Sequence, residues 1–216
     1  MDDLIPKTQE TDAAEAAEGL DETDKRRVGP RRSEASTQAV LTAAYQELCE
    51  QGWRGFSVDR AAKTARASKQ TIYRWWKTPA CLAVESVTSR LAEAKAPTPG
   101  GDPRERIVQL IDPVLVAVRT GDGAHAWRGA LLAAADDHDA GEFFRAFLSE
   151  RVKVPLRHIL NELAMKSIVR RDWDIDLGME LLMGPIWHRL IAMRGPVPEV
   201  YARRLPESVL RALAPG

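Results

Sequence analysis

Cysteine is scarce in this chain: Cys49 and Cys81 are its only two among 216 residues. Two cysteines make no disulfide framework and fit a reducing cytoplasm. Both fall among apolar residues of predicted helices and read as small buried hydrophobes. No apolar run approaches the ~20 residues of a membrane span. The chain opens on acidic residues, not on a basic stretch followed by an apolar one, so no secretory signal is expected. Strand-like alternation and internal repeats are missing too, which leaves an all-helical reading. The usual marks of catalysis are also lacking. His125, His138, His158 and His188 show no metal-ligand spacing with one another or with the cysteines. Asp136, Asp137, His138 and Asp139 form a tempting cluster, but a polar interhelical loop explains them as well. There is no glycine-rich phosphate loop and no G-x-S-x-G elbow. No enzyme activity, metal or cofactor is expected.

What is present is a charge split hidden under a net charge of zero. Residues 1–24 hold nine Asp/Glu against Lys7 alone, a net −8. Residues 25–77 hold twelve Lys/Arg against four acids, a net +8, and the remainder balances. Such a basic concentration is the electrostatic footprint of nucleic-acid binding. Residues 1–28, rich in Ala, Thr and Glu and free of aromatics, are expected to be disordered. Lys25, Arg26, Arg27, Arg31 and Arg32 surround Gly29-Pro30, an arm suited to a minor groove or a line of phosphates, or else a solvated linker.

The basic segment ends on SVDRAAKTARASKQTIYRWWK, residues 57–77. Val58, Ala61, Ala62 and Ala65 fall at helical spacing and predict a short helix with a small-residue inner face. Ser68 then stands as an N-cap before a second helix. That helix would expose Lys69, Gln70, Thr71, Tyr73 and Arg74 while Ile72 and Trp76 pack inward. Hydrogen-bonding and cationic side chains of this kind read base edges and phosphates in a major groove. Two short helices joined by a tight turn make a helix-turn-helix.

The run from Arg32 to about Leu91 resembles the DNA-binding domain of the tetracycline-repressor (TetR) family. The resemblance lies in Val40-Leu41-Thr42-Ala43-Ala44, Gly52-Trp53, Phe56-Ser57-Val58, Ala61-Ala62 and Ser68 through Trp76. Two positions depart from the family pattern. Arg66 stands in the turn where the family usually has glycine, and Pro79 stands where it usually has a lysine, leaving Lys77 to supply that phosphate contact. The candidate DNA-contacting set is Arg31, Arg32, Ser57, Lys69, Gln70, Thr71, Tyr73, Arg74, Trp75 and Lys77.

The expected order is a tail over 1–28, a helix-turn-helix domain over 29–95 and a helical effector-binding and dimerisation domain over 102–216. The first helix should run from Ser33 to Gln51 with Gly52 as its stop, and the fourth from Pro79 to Lys95. After Pro97, Pro99, Gly100 and Gly101, a helix starts at Asp102-Pro103 and contains Pro113, with a kink expected there. Gly121 and Gly123 should end it. A short helix over 126–135 follows, then one capped by Asp139 with Glu142 and interrupted at Pro155. A helix over 176–193, apolar on nearly every side, must be buried on all of them. The last helix, 198–213, should break at Pro206.

The larger side chains expected around a cavity in the second half are Trp127, Phe143, Phe144, Phe147, His158, Met183, Trp187 and His188. Aromatics at such spacing are more often plain core; the resemblance implies a small-molecule effector among them, with His158 and His188 as polar handles. Leu182, Ile186, Leu190, Val209 and Leu210 are the expected dimer contacts, on helices that with their symmetry mates would make a four-helix interface. The reading is a DNA-binding regulator: a repressor released from a palindromic operator by an unidentified effector, acting as a homodimer, with no membrane partner. A regulator without an effector is the near alternative. The distant one is a helical enzyme or scaffold whose helix-turn-helix-like segment makes only protein contacts.

Overall fold

The computed structural model describes residues 34–91, 97 and 100–215. The acidic tail, Arg31, Arg32 and the expected end of the fourth helix at 92–95 lie outside them. From Glu34 onward the chain forms one compact unit, and no strand occurs among the described residues.

Helix α1 (Glu34–Gly55) buries Val40, Leu41, Ala44 and Leu48, the stripe that its 3.6-residue periodicity dictates. It does not stop at Gly52. It bends there through a backbone at φ 63, ψ −175, and a last turn carries Trp53 and Arg54 in a new direction. Glycine reaches that φ without steric cost. Helices α2 (Val58–Ala65), α3 (Lys69–Trp75) and α4 (Pro79–Thr88) follow, the last ending in a 3₁₀ turn at Ser89–Leu91. Val40, Leu41, Ala44, Val58, Ala61, Ile72, Trp76 and Leu82 form the small core of this head.

The body consists of α5 (Pro103–Ala117), α6 (Gly121–Asp136), α7 (His138–Leu148), α8 (Val154–Met165), α9 (Ile175–Ile191) and α10 (Val200–Ala212). Its core also takes in Leu48 of α1 and Ala80, Val84 and Val87 of α4. Gly129 of α6 explains how closely α1 approaches: a Cβ there would stand 2.9 Å from Leu48 Cδ2 and 3.3 Å from the Trp53 amide nitrogen.

Four local expectations are corrected. Gly121 and Gly123 do not end a helix; they open α6, with Thr120 accepting from the Gly123 amide as its N-cap. A Cβ on Gly123 would lie 1.8 Å from the Ala117 carbonyl oxygen, so glycine is there for clearance. The cap of α7 is Asp137, which accepts from the Ala140 amide at 2.9 Å, and not Asp139. Ahead of Pro155 the chain widens into a π-helical turn, Ser149–Lys153, whose Val154 amide donates to the Ser149 carbonyl. Pro155 then falls in the first turn of α8, where no amide hydrogen is needed. Pro206 breaks nothing: it lies inside α10, itself buried beside Leu205 and Val209. Burial of two such side chains is worth ~1.5–3 kcal/mol each, enough to offset the ~3 kcal/mol of an interior proline.

Candidate nucleic-acid interface

The reading head is assembled by three hydroxyl caps. Ser57 accepts from the Arg60 amide to start α2, Ser68 from the Thr71 amide at 3.1 Å to start α3, and Thr78 from the Cys81 amide at 3.1 Å to start α4. Between α2 and α3 the turn requires a left-handed residue, and Arg66 supplies it at φ 52, ψ 36. A side-chain-bearing residue is disfavoured there by ~1–2 kcal/mol. Its amide bonds back to the Ala62 and Lys63 carbonyls, and the next amide, of Ala67, donates to Ala62 at 2.9 Å.

Helix α3 divides as its sequence requires. Ile72 and Trp76 are buried; Lys69, Gln70, Tyr73 and Arg74 are exposed. The Trp76 indole donates to Glu85 Oε2 at 2.7 Å and pins the end of α3 to α4. Trp75 is half-buried with its ring edge-on to Trp76, and the Arg74 guanidinium lies 5.9 Å from the Trp75 ring centroid. Thr71 is half-buried, its hydroxyl 2.8 Å from that of Ser68. Lys69 bonds Asp59 of α2 at 2.6 Å, an exposed pair that a phosphate can displace. Ser57 is engaged as a cap and half-buried. Eight of the ten sequence-derived positions thus lie on or around α3 and the start of α2, and the other two, Arg31 and Arg32, are outside the described residues.

Four interactions of the head were invisible to sequence reasoning. Glu47 of α1 is buried and receives the Arg60 guanidinium, Nε to Oε1 at 2.7 Å, while Arg60 also reaches the Gly55 carbonyl. Arg60 therefore clamps α2 onto α1 and is not free to reach DNA. Lys77, just past α3, donates to Asp139 of α7 at 3.1 Å. That contact, with the Lys77 charge beside it, holds the Asp139 carboxyl below its ordinary range. The Trp53 indole donates to Asp136 Oδ2 at 3.0 Å, and His125 Nδ1 donates to the Cys49 carbonyl at 2.9 Å. The corner between α6 and α7 is thus tied to the head by several polar contacts. Each aspartate of the tempting cluster has a structural task. His138, Asp139 and Glu142 do bring ligand atoms within 4.8 Å of one another, but Asp139 is already engaged by Lys77. Cys49 and Cys81 are half-buried and unpaired, and burial pushes the Cys49 thiol up, away from a reactive thiolate.

The body's candidate residues separate. Trp127 is fully buried and stacks on Trp187 at a centroid distance of 6.3 Å, and Phe144 packs on Trp187 at 6.2 Å. Met183 is buried in the same core. Phe147 instead lines a different cavity of about 110 Å³, with Leu110, Val114, Val152 and Pro155. Phe143 faces outward near Trp75 and Lys77. His158 and His188 are exposed and line neither space, so the expected polar handles are displaced. Among the expected dimer contacts, Leu182, Ile186, Leu190 and Val209 are fully buried in their own chain, and Leu210 is half-buried. Contrary to expectation, α9 is not buried on every side: it turns Leu182, Ile186 and Leu190 into its own core and leaves Leu177 and Ile191 exposed.

The C-terminal domain described as "Tetracyclin repressor-like, C-terminal domain" matches residues 97–209. The chain belongs to the TetR family. It is a helix-turn-helix transcriptional regulator, like its relatives: an uncharacterized HTH-type transcriptional regulator of Bacillus subtilis, YdeS, is 27% identical over 178 residues, covering 82% of this chain and 89% of that one. Among solved structures, the TetR family transcription regulator SCO0332 superposes with a TM-score of 0.61 at 25% identity, covering 84% of this chain and all of the other. FadR from Bacillus subtilis, solved in complex with stearoyl-CoA, shares the fold at a TM-score of 0.60 and 17% identity, over 82% of this chain and 97% of that one. No helix among the described residues is long and apolar enough to cross a membrane.

Proposed function

We propose that this regulator represses transcription by binding a palindromic operator as a homodimer, one α3 in each of two successive major grooves, and that a small molecule releases it. The observation that carries the reading is the division of α3: a capped, pinned helix that buries Ile72 and Trp76 and leaves Gln70 and Arg74 exposed with no hydrogen-bond partner among the described residues. Gln70, Arg74 and Thr71 are suited to base edges, and Lys69, Tyr73, Lys77 and Ser57 to phosphates, with Trp75 against the sugar edge. Arg31 and Arg32, outside the described residues, are suited to phosphates by their charge.

One such head makes too few contacts for tight binding, so two are needed about one helical turn apart. Helix α9 carries the surface for pairing. Leu177, Leu181, Gly184, His188 and Ile191 recur at three- and four-residue steps, and all are exposed or half-exposed. A Cβ on Gly184 would meet nothing in its own chain, which suits the close approach of a symmetry mate. The effector is placed in the apolar cavity beside Phe147. At about 110 Å³ it is smaller than the ~300–1,000 Å³ of ligand pockets, so binding must open it, and the adjacent π turn is the segment to yield. The relative FadR holds stearoyl-CoA, which supports an apolar ligand here. The tight stacking of Trp127, Trp187 and Phe144 favours instead a regulator with no effector.

A mobility-shift titration with duplex DNA across a salt series tests the reading. Tight binding that weakens steeply with salt supports it; a protein that ignores duplex DNA at low salt belongs to the scaffold alternative.

A further inference from the structure

A second space lies where head and body meet. The redirected last turn of α1, the first half of α6 and the segment after α9 enclose a cleft of about 410 Å³. Arg54, His125, Arg128 and Arg194 line it, and among the described residues no aspartate or glutamate does. Several other cations of the fold are paired, Arg60 with Glu47, Lys77 with Asp139, Arg106 with Glu162 and Lys153 with Asp176. Among the described residues, Arg54, Arg128 and Arg194 have no carboxylate partner. Asp136, attached to the same corner, is engaged by the Trp53 indole. The crowding of like charge registers on Arg128, whose proton affinity is lowered first by burial and then by the Arg194 guanidinium. Arg194 itself sits in left-handed backbone at φ 52, a conformation that side-chain-bearing residues rarely hold.

Three guanidiniums gathered around one space, with no acid lining it among the described residues, make the cleft locally positive. Guanidinium forks match phosphate and carboxylate oxygens in pairs, and the volume falls within the range of small-molecule sites. We propose that this cleft binds a small, multiply charged anion bearing phosphate or carboxylate groups, separately from the apolar cavity beside Phe147. None of the lining residues belongs to α3, so the site does not duplicate the operator surface. Arg54 lies on the last turn of α1, whereas Arg128 and Arg194 belong to the body, so a bound anion would bridge α1 to the body. That coupling rests on the regulator reading; the binding does not.

Isothermal titration calorimetry on the full chain, with inorganic pyrophosphate and separately with citrate, tests the proposal. One anion per chain is expected, pyrophosphate or citrate binding more tightly according to whether the natural ligand carries phosphate or carboxylate. Arg128→Gln and Arg194→Gln should each weaken the preferred anion about ten- to a hundredfold, the loss of one charged hydrogen-bonding group, with helical circular dichroism unchanged. Arg74→Gln, in α3, should leave anion affinity as it was. No saturable binding of either anion, unchanged affinity in both cleft variants, or equal loss in Arg74→Gln would overturn the proposal. Duplex binding measured on the same samples reports on the regulator reading alone: a protein that takes up the anion in the cleft but binds no DNA supports the site and contradicts the coupling.

Discussion

At the scale of single residues, the α3 surface and the Lys77–Asp139 contact make different predictions. Losing a base contact at Arg74 or Gln70 should cost roughly 1–3 kcal/mol of operator affinity and relax preference at one position. Losing Lys69 should weaken all sequences alike and lower the salt slope by about 1. Asp139 titrates below its ordinary range because Lys77 bonds its carboxylate. A depressed carboxyl contributes stability that is present above its unfolded pKa and lost as pH falls through the folded one. Asp139→Asn should therefore unfold at lower urea than the parent at neutral pH, and the gap should close as the pH falls below the ordinary carboxylate range. A gap that persists in acid would assign the effect to something other than the ion pair. The inward and outward residues of α3 were legible because 3.6-residue spacing and side-chain type agree at Ile72, Gln70 and Arg74. The Lys77–Asp139 and Glu47–Arg60 pairs were not, because their partners lie 62 and 13 residues apart and no local pattern links them.

At the scale of elements, the turn of the helix-turn-helix is strained and the bend in α1 is not. Arg66→Gly removes the ~1–2 kcal/mol cost of a left-handed side chain and adds ~0.5–1 kcal/mol of unfolded-chain entropy. The net should be a gain of up to about 1 kcal/mol in denaturant unfolding; a loss would show that the Arg66 side chain contributes contacts of its own. Gly52→Ala should do the reverse, because it both forces φ 63 on alanine and sets a Cβ 2.7 Å from His125 Nε2. Helices were legible from their stripes and caps, as Ser68 and Asp102 show. The errors came where one residue type has two uses. Gly123 clears a neighbouring carbonyl instead of ending a helix, and Pro155 opens one after a π turn. Asp137 and Asp139 are both plausible caps, and only the backbone geometry chooses between them.

For the whole molecule, the expected boundary near residue 100 is weaker than composition suggested, since Leu48, Val84 and Val87 of the head sit in the body's core. Sequence could rank α9 as the most apolar helix but not divide its faces, so Leu182, Ile186 and Leu190 were assigned outward when they point into their own core. The α9 stripe makes a sharp prediction through Gly184. Gly184→Arg replaces a poor helix former at an open position, so the monomer should be as stable or up to ~1 kcal/mol more so, yet sedimentation should show monomers. A dimer of unchanged affinity would place the interface elsewhere. The central claim, that two α3 helices read a specific palindrome, is tested most directly by fluorescence anisotropy with the duplex this protein protects from nuclease and a scrambled duplex of equal length. The parent should prefer its own site by at least about a thousandfold, and the Gln70→Ala, Arg74→Ala double variant should lose most of that preference while keeping its binding to the scrambled duplex. Equal discrimination in parent and variant would contradict the account, because specificity would then reside outside α3.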